Sequence, residues 1–515
     1  MSTPYKQNFS YSHGPQMQIH GPQKQNINID INKLSDDKKS NTFYNSDFKK
    51  SKIEFNEKPK FQDVWAIYLF LSCVVVSFII AAVKIPNIDS LNKVNDITGF
   101  NDIIDKYGSK YGNYNENKMP TLNEIILLFG ISLGSNAILC FFYILLLHKF
   151  TGKMIKGNYI FFIIINIVFG LISLFTVLYL GICLLVIAAI FGVIFFFWKK
   201  NISFAKVMLK NVISVTKKYP ATILIGFFGS IVVVVWYGFI GTTIYCLFPS
   251  KASKENNIIG IVISVFLAFS LFYFSHVVKN IIHVTVSGVF ATYYFRGVNN
   301  SKTNEIEIDV KNPTLKSLKR ALTTSFGSIC FGSLLISLID TLKVLAKNGV
   351  DSADDSAEPF MQTINCCAKC ILHYIGDILE YFNVYAFTEV AVFGKPYCQA
   401  AKDTWTLCKA NGIKALINDN IIGTVMVFGA ICVGYLSAPI TIFAGIFVTN
   451  NINAIMIFCF ISFFSSFLIL SVIFRVINSG VATTFVCLCE DPDTLRQTKP
   501  DFYDKVKETY PTSNF

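Results

Sequence analysis

The chain has 515 residues, of which 53% are hydrophobic and only 15% are charged, and its mean hydropathy is +0.50. This mean hydropathy is far from that of a water-soluble enzyme. The formal net charge of +12 would suit a nucleic-acid-binding protein, but the lysines cluster in short segments between long apolar runs. We therefore expect an all-α polytopic membrane protein, with the lipid bilayer around it and no nucleic-acid partner.

The amino-terminal part of the chain is polar. Residues 1–60 are rich in Asn, Gln, Ser, Lys and Asp and contain no apolar segment, which predicts a disordered cytosolic tail. The first predicted span is 64–83 and the second is 121–147. The polar loop between them, 84–120, contains no cysteine, so we expect an extracellular loop without disulfides.

Two local patterns in the next part of the chain predict specific packing. The apolar run 159–198 is long enough for two crossings, joined by a turn that we place near Gly181. Lysines without acids flank this run, and in the second flank apolar residues recur at helical spacing between Ile202 and Val215. That pattern predicts a helix lying on the inner leaflet. In the second span, Gly130 and Gly134 form a GxxxG pair, which predicts close helix contact.

The remaining segments and the charges between them predict the topology. The remaining predicted spans are 220–248, 258–295, 325–346, 361–394, 421–448 and 454–477. The predicted cytosolic loops are 148–157, 199–219, 296–320 and 395–418, because each is rich in Lys or Arg. An acidic segment, 351–358, is placed outside. The prediction is a transmembrane domain from 61 to 490 with about ten crossings, and a cytosolic carboxy-terminal tail, 491–515.

One predicted span, 258–295, carries a polar stripe. Its residues recur at spacings of three, four or seven and so fall on one face of a helix. The members of the stripe are Tyr273, His276, Asn280, His283, Ser287 and Tyr294. In a bilayer such a face must meet a partner helix or a water-filled cavity, because polar groups in lipid are costly. The helix therefore either lines a cavity or forms a polar seam that only holds the bundle together.

Carboxylates in the predicted span 361–394 are further candidates, because each costs about 2.5–3.5 kcal/mol at the bilayer centre. His373, Asp377 and Glu380 fall on one helical face, and Glu389 lies one turn beyond Tyr385 in an apolar stretch. Acidic groups on helices that face aromatic side chains would suit an organic cation. The alternative is that Asp377 and Glu380 lie near the outer surface or pair with a nearby lysine or histidine.

Aromatic side chains matter because a ring face binds an ammonium group with about 0.5–2 kcal/mol when the contact is desolvated. We select Trp236, Tyr273, Tyr294 and Tyr385, on three different spans, as the aromatic side chains whose rings are expected to contact the ammonium group. Most other aromatic residues are expected to be packing residues or interfacial anchors.

No enzyme motif is present. The chain contains no GxxxxGK[ST], no HExxH and no GxSxG, and Cys367 and Cys370 form a lone CxxC without a second pair. We therefore expect no catalytic site, no metal and no cofactor.

Five blocks of sequence carry a family resemblance. They are FQDVWAIYLFL, KNIIHVTVSGVFATYYF, TSFGSICFGSLL, NVYAFTEVAVFGKPYCQAAKDTWTL with NGIKALIND, and CLCEDPDTLRQTKP. In this order they resemble the choline transporter-like family (solute carrier 44 type), nearest to its fungal and protist members, from about residue 60 to about residue 505. The resemblance implies a ten-span transporter with cytosolic termini, which moves choline or a related amino alcohol by alternating access without ATP hydrolysis.

Resemblance and residues together give a site hypothesis. A small organic cation is expected near mid-membrane, in the plasma membrane or an endomembrane. Its predicted contacts are Glu389, Asn280, His283, Tyr273, Tyr294, Trp236 and Tyr385, and the predicted proton relay is His276, His283 and Asp377. Two alternatives stay open: a membrane scaffold or regulator that no longer transports, and a phospholipid-handling protein that uses the predicted leaflet helix.

Overall fold

The structure is a computed structural model, and it describes most of the chain beyond the amino-terminal tail. The described residues are 60–84, 122–176, 178–198, 202–247, 258–300, 305–308, 310–351, 359–411, 413–449 and 451–509. The predicted disordered tail, the predicted extracellular loop and the predicted acidic loop therefore lie almost entirely outside the described residues.

Fifteen helices and one short hairpin make up the described residues. The helices are α1 (Val64–Lys84), α2 (Leu122–Lys149), α3 (Thr151–Thr176), α4 (Leu178–Trp198), α5 (Ile202–Lys218), α6 (Ala221–Leu247), α7 (Ile258–Arg296), α8 (Pro313–Leu322), α9 (Phe326–Asp351), α10 (Pro359–Phe393), α11 (Tyr397–Asn411), α12 (Ile413–Ile446), α13 (Ile452–Glu490), α14 (Pro492–Thr498) and α15 (Pro500–Thr509). Strands β1 (Gly297–Asn300) and β2 (Glu305–Ile308) pair antiparallel, with Gly297 opposite Ile308.

Eight of the described helices are long and apolar enough to cross a membrane, namely α1, α2, α3, α6, α7, α9, α12 and α13. Their most apolar windows have a mean hydropathy of 1.9 to 2.7, and their outward faces carry exposed Phe, Ile, Leu and Val. Such surfaces are stable only in lipid. The all-α polytopic membrane fold is thus confirmed. The count of about ten crossings also needs the shorter α4 and the more polar α10, and it stays a prediction.

The centre of the bundle is α7, which packs against α1, α6, α9, α10 and α13. Its apolar side is covered by protein, since Val277, Ile282, Val286 and Phe290 are at most 3% exposed. The helix runs without a break to Arg296 because no proline interrupts it after Ile258. Its polar side is therefore held at a fixed place among the neighbouring helices.

The predicted turn within 159–198 is shifted. Helix α3 ends at Thr176 and α4 begins at Leu178, so Gly181 lies inside α4 and not at the turn. A Cβ on Gly181 would lie 2.8 Å from the backbone oxygen of Gly170 and 2.7 Å from the backbone nitrogen of Leu174. Gly181 therefore serves the close packing of α4 on α3 rather than the turn.

The predicted inner-leaflet helix does form, as α5, but its apolar face does not lie on lipid. Ala205, Met208, Leu209 and Val212 are at most 1% exposed and belong to the main hydrophobic cluster. The neighbours that cover them are α3, α12, α13 and α15. Amphipathic spacing does not distinguish a lipid surface from a protein surface, which is why the sequence interpretation was wrong here.

The segments predicted as loops are largely helical. Phe150 alone separates α2 from α3, so the predicted loop 148–157 is mostly the start of α3. The segment 199–219 contains α5, 296–320 contains the hairpin and α8, and 395–418 contains α11 and the start of α12. Short helices between spans give the non-spanning part of the chain an ordered framework.

The predicted GxxxG contact is not found. A Cβ on Gly130 or on Gly134 would meet no atom of the described residues within 4 Å. Neighbours of this pair in α2, such as Phe129 and Leu133, are exposed like the lipid-facing residues of other spans. The two glycines therefore do not hold α2 against another described helix.

Candidate functional site

A cavity of about 350 Å³ lies where α7, α9, α10, α12 and α13 meet. Its volume falls in the range of about 300–1,000 Å³ that is usual for small-ligand sites. The lining residues are His276, Lys279, Asn280, His283, Ile336, Glu380, Asn383, Val384, Gly423, Met426, Val427, Ala430, Phe467, Ser471, Phe474, Arg475, Ile477, Asn478 and Ser479. A mixture of polar groups and aliphatic walls at the centre of a helix bundle fits a site for a small polar molecule.

The polar stripe of α7 supplies one wall of the cavity. His276, Asn280 and His283 line it, whereas Tyr273, Ser287 and Tyr294 do not. The Nδ2 of Asn280 donates to Oγ of Ser333 in α9 at 2.8 Å, which fixes the orientation of the amide. The stripe therefore combines both interpretations of the sequence: its middle faces a cavity, and its ends are packed between helices.

His283 is hydrogen-bonded through both ring nitrogens. Nε2 lies 2.8 Å from the carbonyl oxygen of Val384, which only accepts, so Nε2 carries a proton. Nδ1 lies 2.8 Å from Oγ of Ser479, and that oxygen is also 2.9 Å from the carbonyl oxygen of Arg475. Because a hydroxyl has a single proton, Ser479 either donates to Nδ1 or accepts from it while donating to Arg475. This arrangement accommodates both the neutral and the doubly protonated imidazole.

A chain of charged groups runs from His276 towards the exposed surface. Nε2 of His276 lies 2.8 Å from Oδ2 of Asp340, and Nζ of Lys343 lies 3.3 Å from Oδ1 of the same carboxylate. Lys343 is 4.0 Å from Asp377, which is 3.6 Å from Nε2 of His373. His373 and Asp377 are 74% and 59% exposed, whereas His276 is 7% exposed, so the chain joins the cavity wall to the surface.

Three charged side chains line the cavity itself. Lys279 and Arg475 are half-buried, and Glu380 is exposed at the rim. Among the residues the structure describes, none of the three has a salt-bridge partner. Glu380 and Asp340 lie within electrostatic reach of Lys279, as does Arg475. The lining therefore carries two cations and one carboxylate.

Glu389 lies away from this cavity and already has a cationic partner. Its side chain is 1% exposed, and Oε2 accepts from Nζ of Lys395 at 3.0 Å. Lys395 also lies 2.7 Å from Oδ2 of Asp403 in α11. Burial alone would lower the pKa of Lys395, but the two carboxylates outweigh it and hold the pKa above its ordinary value. The three residues tie the end of α10 to α11.

The four aromatic side chains that were predicted to contact the cation are packed against other parts of the protein. Trp236 stacks on Phe274 at a centroid distance of 4.2 Å, and Tyr273 has edge contacts with Phe70 at 5.4 Å. The hydroxyl of Tyr294 donates to the backbone oxygen of Asp491 at 2.8 Å. The fourth ring, Tyr385, meets Phe485 edge-on at 6.2 Å. None of these four side chains lines the cavity.

Sequence reasoning missed several residues of the site. Asp340 and Lys343 lie in a span that was counted only as a crossing, and Arg475 is a lone arginine in the apolar run FLILSVIFRVINSG. A charge inside a predicted span is a signal that could have found all three. No group of three His, Cys, Asp or Glu within the described residues could hold a metal ion. The side chain of Cys367, from the lone CxxC, lies outside the described residues.

Comparison with known proteins identifies relatives along most of the chain. The model of a family described as plasma-membrane choline transporter matches residues 182–493. Protein PNS1 of Kluyveromyces lactis is 30% identical over 488 residues, covering 88% of this chain and 83% of that protein. Protein PNS1 of Gibberella zeae is 31% identical over 482 residues, with the same coverage of both chains.

A protist relative matches as well. A CTL-like protein of Dictyostelium discoideum is 33% identical over 333 residues, covering 65% of this chain and 57% of that protein. The relatives are thus fungal and protist, as the five sequence blocks predicted. Since the family match covers more than half of the chain and the fungal relatives match most of it, this multi-pass membrane protein belongs to the choline transporter-like family.

Proposed function

We propose that this protein transports choline or a closely related amino alcohol across a membrane, by alternating access and without ATP hydrolysis. The observation that carries the proposal is the cavity at the polar face of α7, in a chain whose family is described as a plasma-membrane choline transporter. A water-accessible cavity among spanning helices is the element that alternating access requires. The proposed location is the plasma membrane, with an endomembrane as the alternative.

The substrate is proposed to occupy the cavity, with Asn280 and His283 as its orienting contacts. Asn280 keeps its carbonyl oxygen available for the substrate, because its hydrogen bond to Ser333 uses the amide nitrogen. Glu380 at the rim supplies the carboxylate, and Phe474 supplies a ring face for an ammonium group. These contacts replace the rings of Trp236, Tyr273, Tyr294 and Tyr385, which would need to leave their present neighbours to touch a ligand.

Glu389 has a different place in the proposal. It would meet a cation only when its pair with Lys395 opens, so we assign it to a gate that is closed in this conformation. A gate formed by an ion pair at one end of the pathway is expected to open and close once per transport cycle.

Proton coupling is proposed to run through His276 and Asp377, joined by Asp340 and Lys343. His283 contributes through its hydrogen bond with Ser479, which is compatible with both protonation states. Chains of histidine and carboxylate inside a membrane are typical of proton relays.

The test is uptake of labelled choline into proteoliposomes that contain the purified full-length protein, with and without an imposed pH gradient. The test variant is His283→Gln, and the matched control is His148→Gln, at the end of α2 and outside the cavity lining. We expect saturable uptake that the His283 variant lowers at least about tenfold, since a buried group with two partners is lost, and that the control variant retains.

The rival reading is a membrane scaffold or regulator that has kept the fold. A folded protein that takes up no choline under either gradient would overturn the transport proposal and favour the scaffold. The lipid-handling alternative has less support, because the apolar face of α5 that suggested it is covered by protein.

A further inference from the structure

The cavity that is proposed to bind choline is lined by two cations and one carboxylate. Lys279 and Arg475 both line it, and neither has a salt-bridge partner among the described residues. Among the described residues that line the cavity, Glu380 is the one carboxylate, and it is exposed at the rim. A ligand with a single positive charge would add a third cation to a space that already holds two, and like charges inside a low-dielectric site repel strongly.

One of the two acids that act on Lys279 is already paired with other cations. Asp340 lies within electrostatic reach of Lys279, but its two oxygens are occupied by His276 at 2.8 Å and by Lys343 at 3.3 Å. Unlike Glu389, which is paired with Lys395, Lys279 and Arg475 form no salt bridge with a described residue, and they share Glu380 as an acid that acts on both. Two half-buried cations with one shared acid leave a positive charge that a ligand can offset.

We infer that the cavity recognises a small zwitterion, in which a phosphate group lies between Lys279 and Arg475 and an ammonium group faces Glu380. This inference rests on the proposed transport function and names its substrate class as a phosphorylated amino alcohol. An Arg guanidinium binds phosphate oxygens in pairs, and a Lys ammonium adds a point charge, so together they match the charge of a phosphomonoester. Phe467 and Phe474, which also line the cavity, offer ring faces to the ammonium end.

The same chemistry is found in two sources, a soluble phosphomonoester and the headgroup of a phospholipid. The cavity volume of about 350 Å³ accommodates either a small soluble molecule or a headgroup without its acyl chains. The experiment therefore uses phosphocholine as the probe and controls the lipid composition of the vesicles.

The first measurement is competition by phosphocholine against labelled choline uptake, in proteoliposomes made of phosphatidylglycerol only. The variants are Lys279→Gln and Arg475→Gln, and the matched control is Lys217→Gln, which removes the same charge from an exposed position on α5. We expect the inhibition constant of phosphocholine to be lower than the KM for choline. Each cavity variant should raise the inhibition constant at least about tenfold, since a charge-assisted hydrogen bond is lost.

The same variants should act on choline in the opposite direction. Because each removes a positive charge that repels choline, the KM for choline should fall, whereas Lys217→Gln should change neither constant. A general loss of folding would weaken both ligands together, so opposite signs cannot come from damage to the protein. If phosphocholine fails to inhibit, or if the variants weaken both ligands equally, the inference is wrong while choline transport stands.

The second measurement separates the inference from transport. Labelled phosphocholine is bound to the purified protein in detergent, and binding that Lys279→Gln removes supports the inference even if no uptake occurs. Absence of both binding and uptake overturns the inference together with the proposed function. Adding phosphatidylcholine to the vesicles identifies the source. If the inhibition constant of phosphocholine rises, the lipid headgroup competes for the cavity and is its ligand. If the constant does not change, the ligand is the soluble ester.

Discussion

At the level of single residues, the polar face of α7 divides into two hydrogen-bonding systems. His283 is held by Val384 and Ser479, which lie on α10 and α13, whereas His276 is held by Asp340 on α9. The same face thus joins three different neighbours, and each contact involves a group that can change its proton. This is the connectivity that the proposed proton relay needs.

Asp340→Asn should uncouple transport from the pH gradient. The amide keeps the shape of the side chain but removes the charge that holds His276 and Lys343. We expect uptake driven by a pH gradient to fall at least about tenfold, with gradient-independent exchange less affected. Asp504→Asn, at an exposed site on α15, is the matched control. A normal response to the gradient in a well-expressed Asp340 variant would remove this residue from the relay.

From the contacts of Lys499 we predict that residues 492–509 attach to α5 and α7 in a pH-dependent way. Its Nζ bonds Asn211 on α5 and lies 4.8 Å above the ring of Tyr293 on α7. Burial lowers its pKa to about 8. The unfolded side chain keeps its ordinary, higher pKa, so between these two values the unfolded state binds more protons and the attachment strengthens as pH rises. Below about pH 8 both states are protonated and the cost of burial is constant.

The measurement is hydrogen exchange of residues 492–509 between pH 7.5 and pH 9.5, corrected for the intrinsic rate. We expect protection to increase by up to about 2 kcal/mol, because one pKa unit corresponds to about 1.4 kcal/mol. Lys499→Met should abolish the pH dependence, and Lys507→Met, an exposed lysine in α15, should leave it unchanged. Equal pH dependence in both variants would contradict the assignment to Lys499.

Among single residues, the sequence predicted those whose shared face follows from their spacing along one helix. His276, Asn280 and His283 were found from their spacing, and all three line the cavity. Glu389 was selected as a buried acid, and it is buried, but its partner Lys395 belongs to the turn after α10 and was read only as a cytosolic lysine. The pairing of residues on different helices depends on packing, which a single sequence does not contain.

At the level of secondary structure, a close contact between backbones holds the start of α1 against α9. The amino-terminal end of α1 is joined to α9 and α11 by Asp63, whose carboxylate accepts from Ser328 at 2.7 Å and from the backbone nitrogen of Tyr397 at 2.9 Å. Gly327 at the start of α9 makes this approach possible, because a Cβ there would collide with the backbone oxygens of Gln62 and Asp63.

Gly327→Ala should therefore destabilise the protein. The added methyl would lie 2.6 Å from the carbonyl oxygen of Asp63, and backbone does not yield as a flexible side chain does. We expect a loss of about 1–3 kcal/mol, as for overpacked sites. Gly134→Ala is the matched control, since nothing described lies near it and Ala favours a helix over Gly by about 0.5–1 kcal/mol. The midpoint temperature of thermal unfolding in detergent should fall for Gly327→Ala and should stay the same or rise for Gly134→Ala.

The helices that the sequence placed best are those that contain one long apolar run. The helix predicted over 258–295 is α7, which runs from Ile258 to Arg296. The hairpin of β1 and β2 was missed because GVNN and EIEI are too short to show a strand period. Errors of a few residues, as at Gly181, arise because a glycine in an apolar run is compatible with a turn and with close packing alike.

At the level of the whole molecule, the family and the spanning fold follow from the sequence, whereas the arrangement of the cavity does not. Apolar runs and basic flanks predict where helices cross, because each depends on a local composition. The cavity needs residues from five helices that are distant in the chain, from His276 to Ser479. Only the folded chain reveals that two cations lie beside the residues selected for a cation, and this changes the expected ligand.

The ion pair between Glu389 and Lys395 offers a test of the proposed gate. The carboxylate is buried, so removing only its partner in Lys395→Gln leaves an uncompensated charge and should cost about 3–5 kcal/mol of stability. Removing both charges, in Glu389→Gln with Lys395→Gln, leaves two neutral amides that can bond each other, and most of the stability should return. Thermal unfolding of the wild type, both single variants and the double variant gives the coupling energy.

The transport measurement on the same four proteins separates a gate from a purely structural pair. If the pair closes one end of the pathway, the stable double variant should have a faster leak of preloaded substrate than the wild type, because that closed state has lost its charge attraction. Asp403→Asn, which removes the second partner of Lys395 but leaves the pair itself, should show a smaller leak. A double variant that is stable, transports normally and does not leak would assign the pair to folding alone.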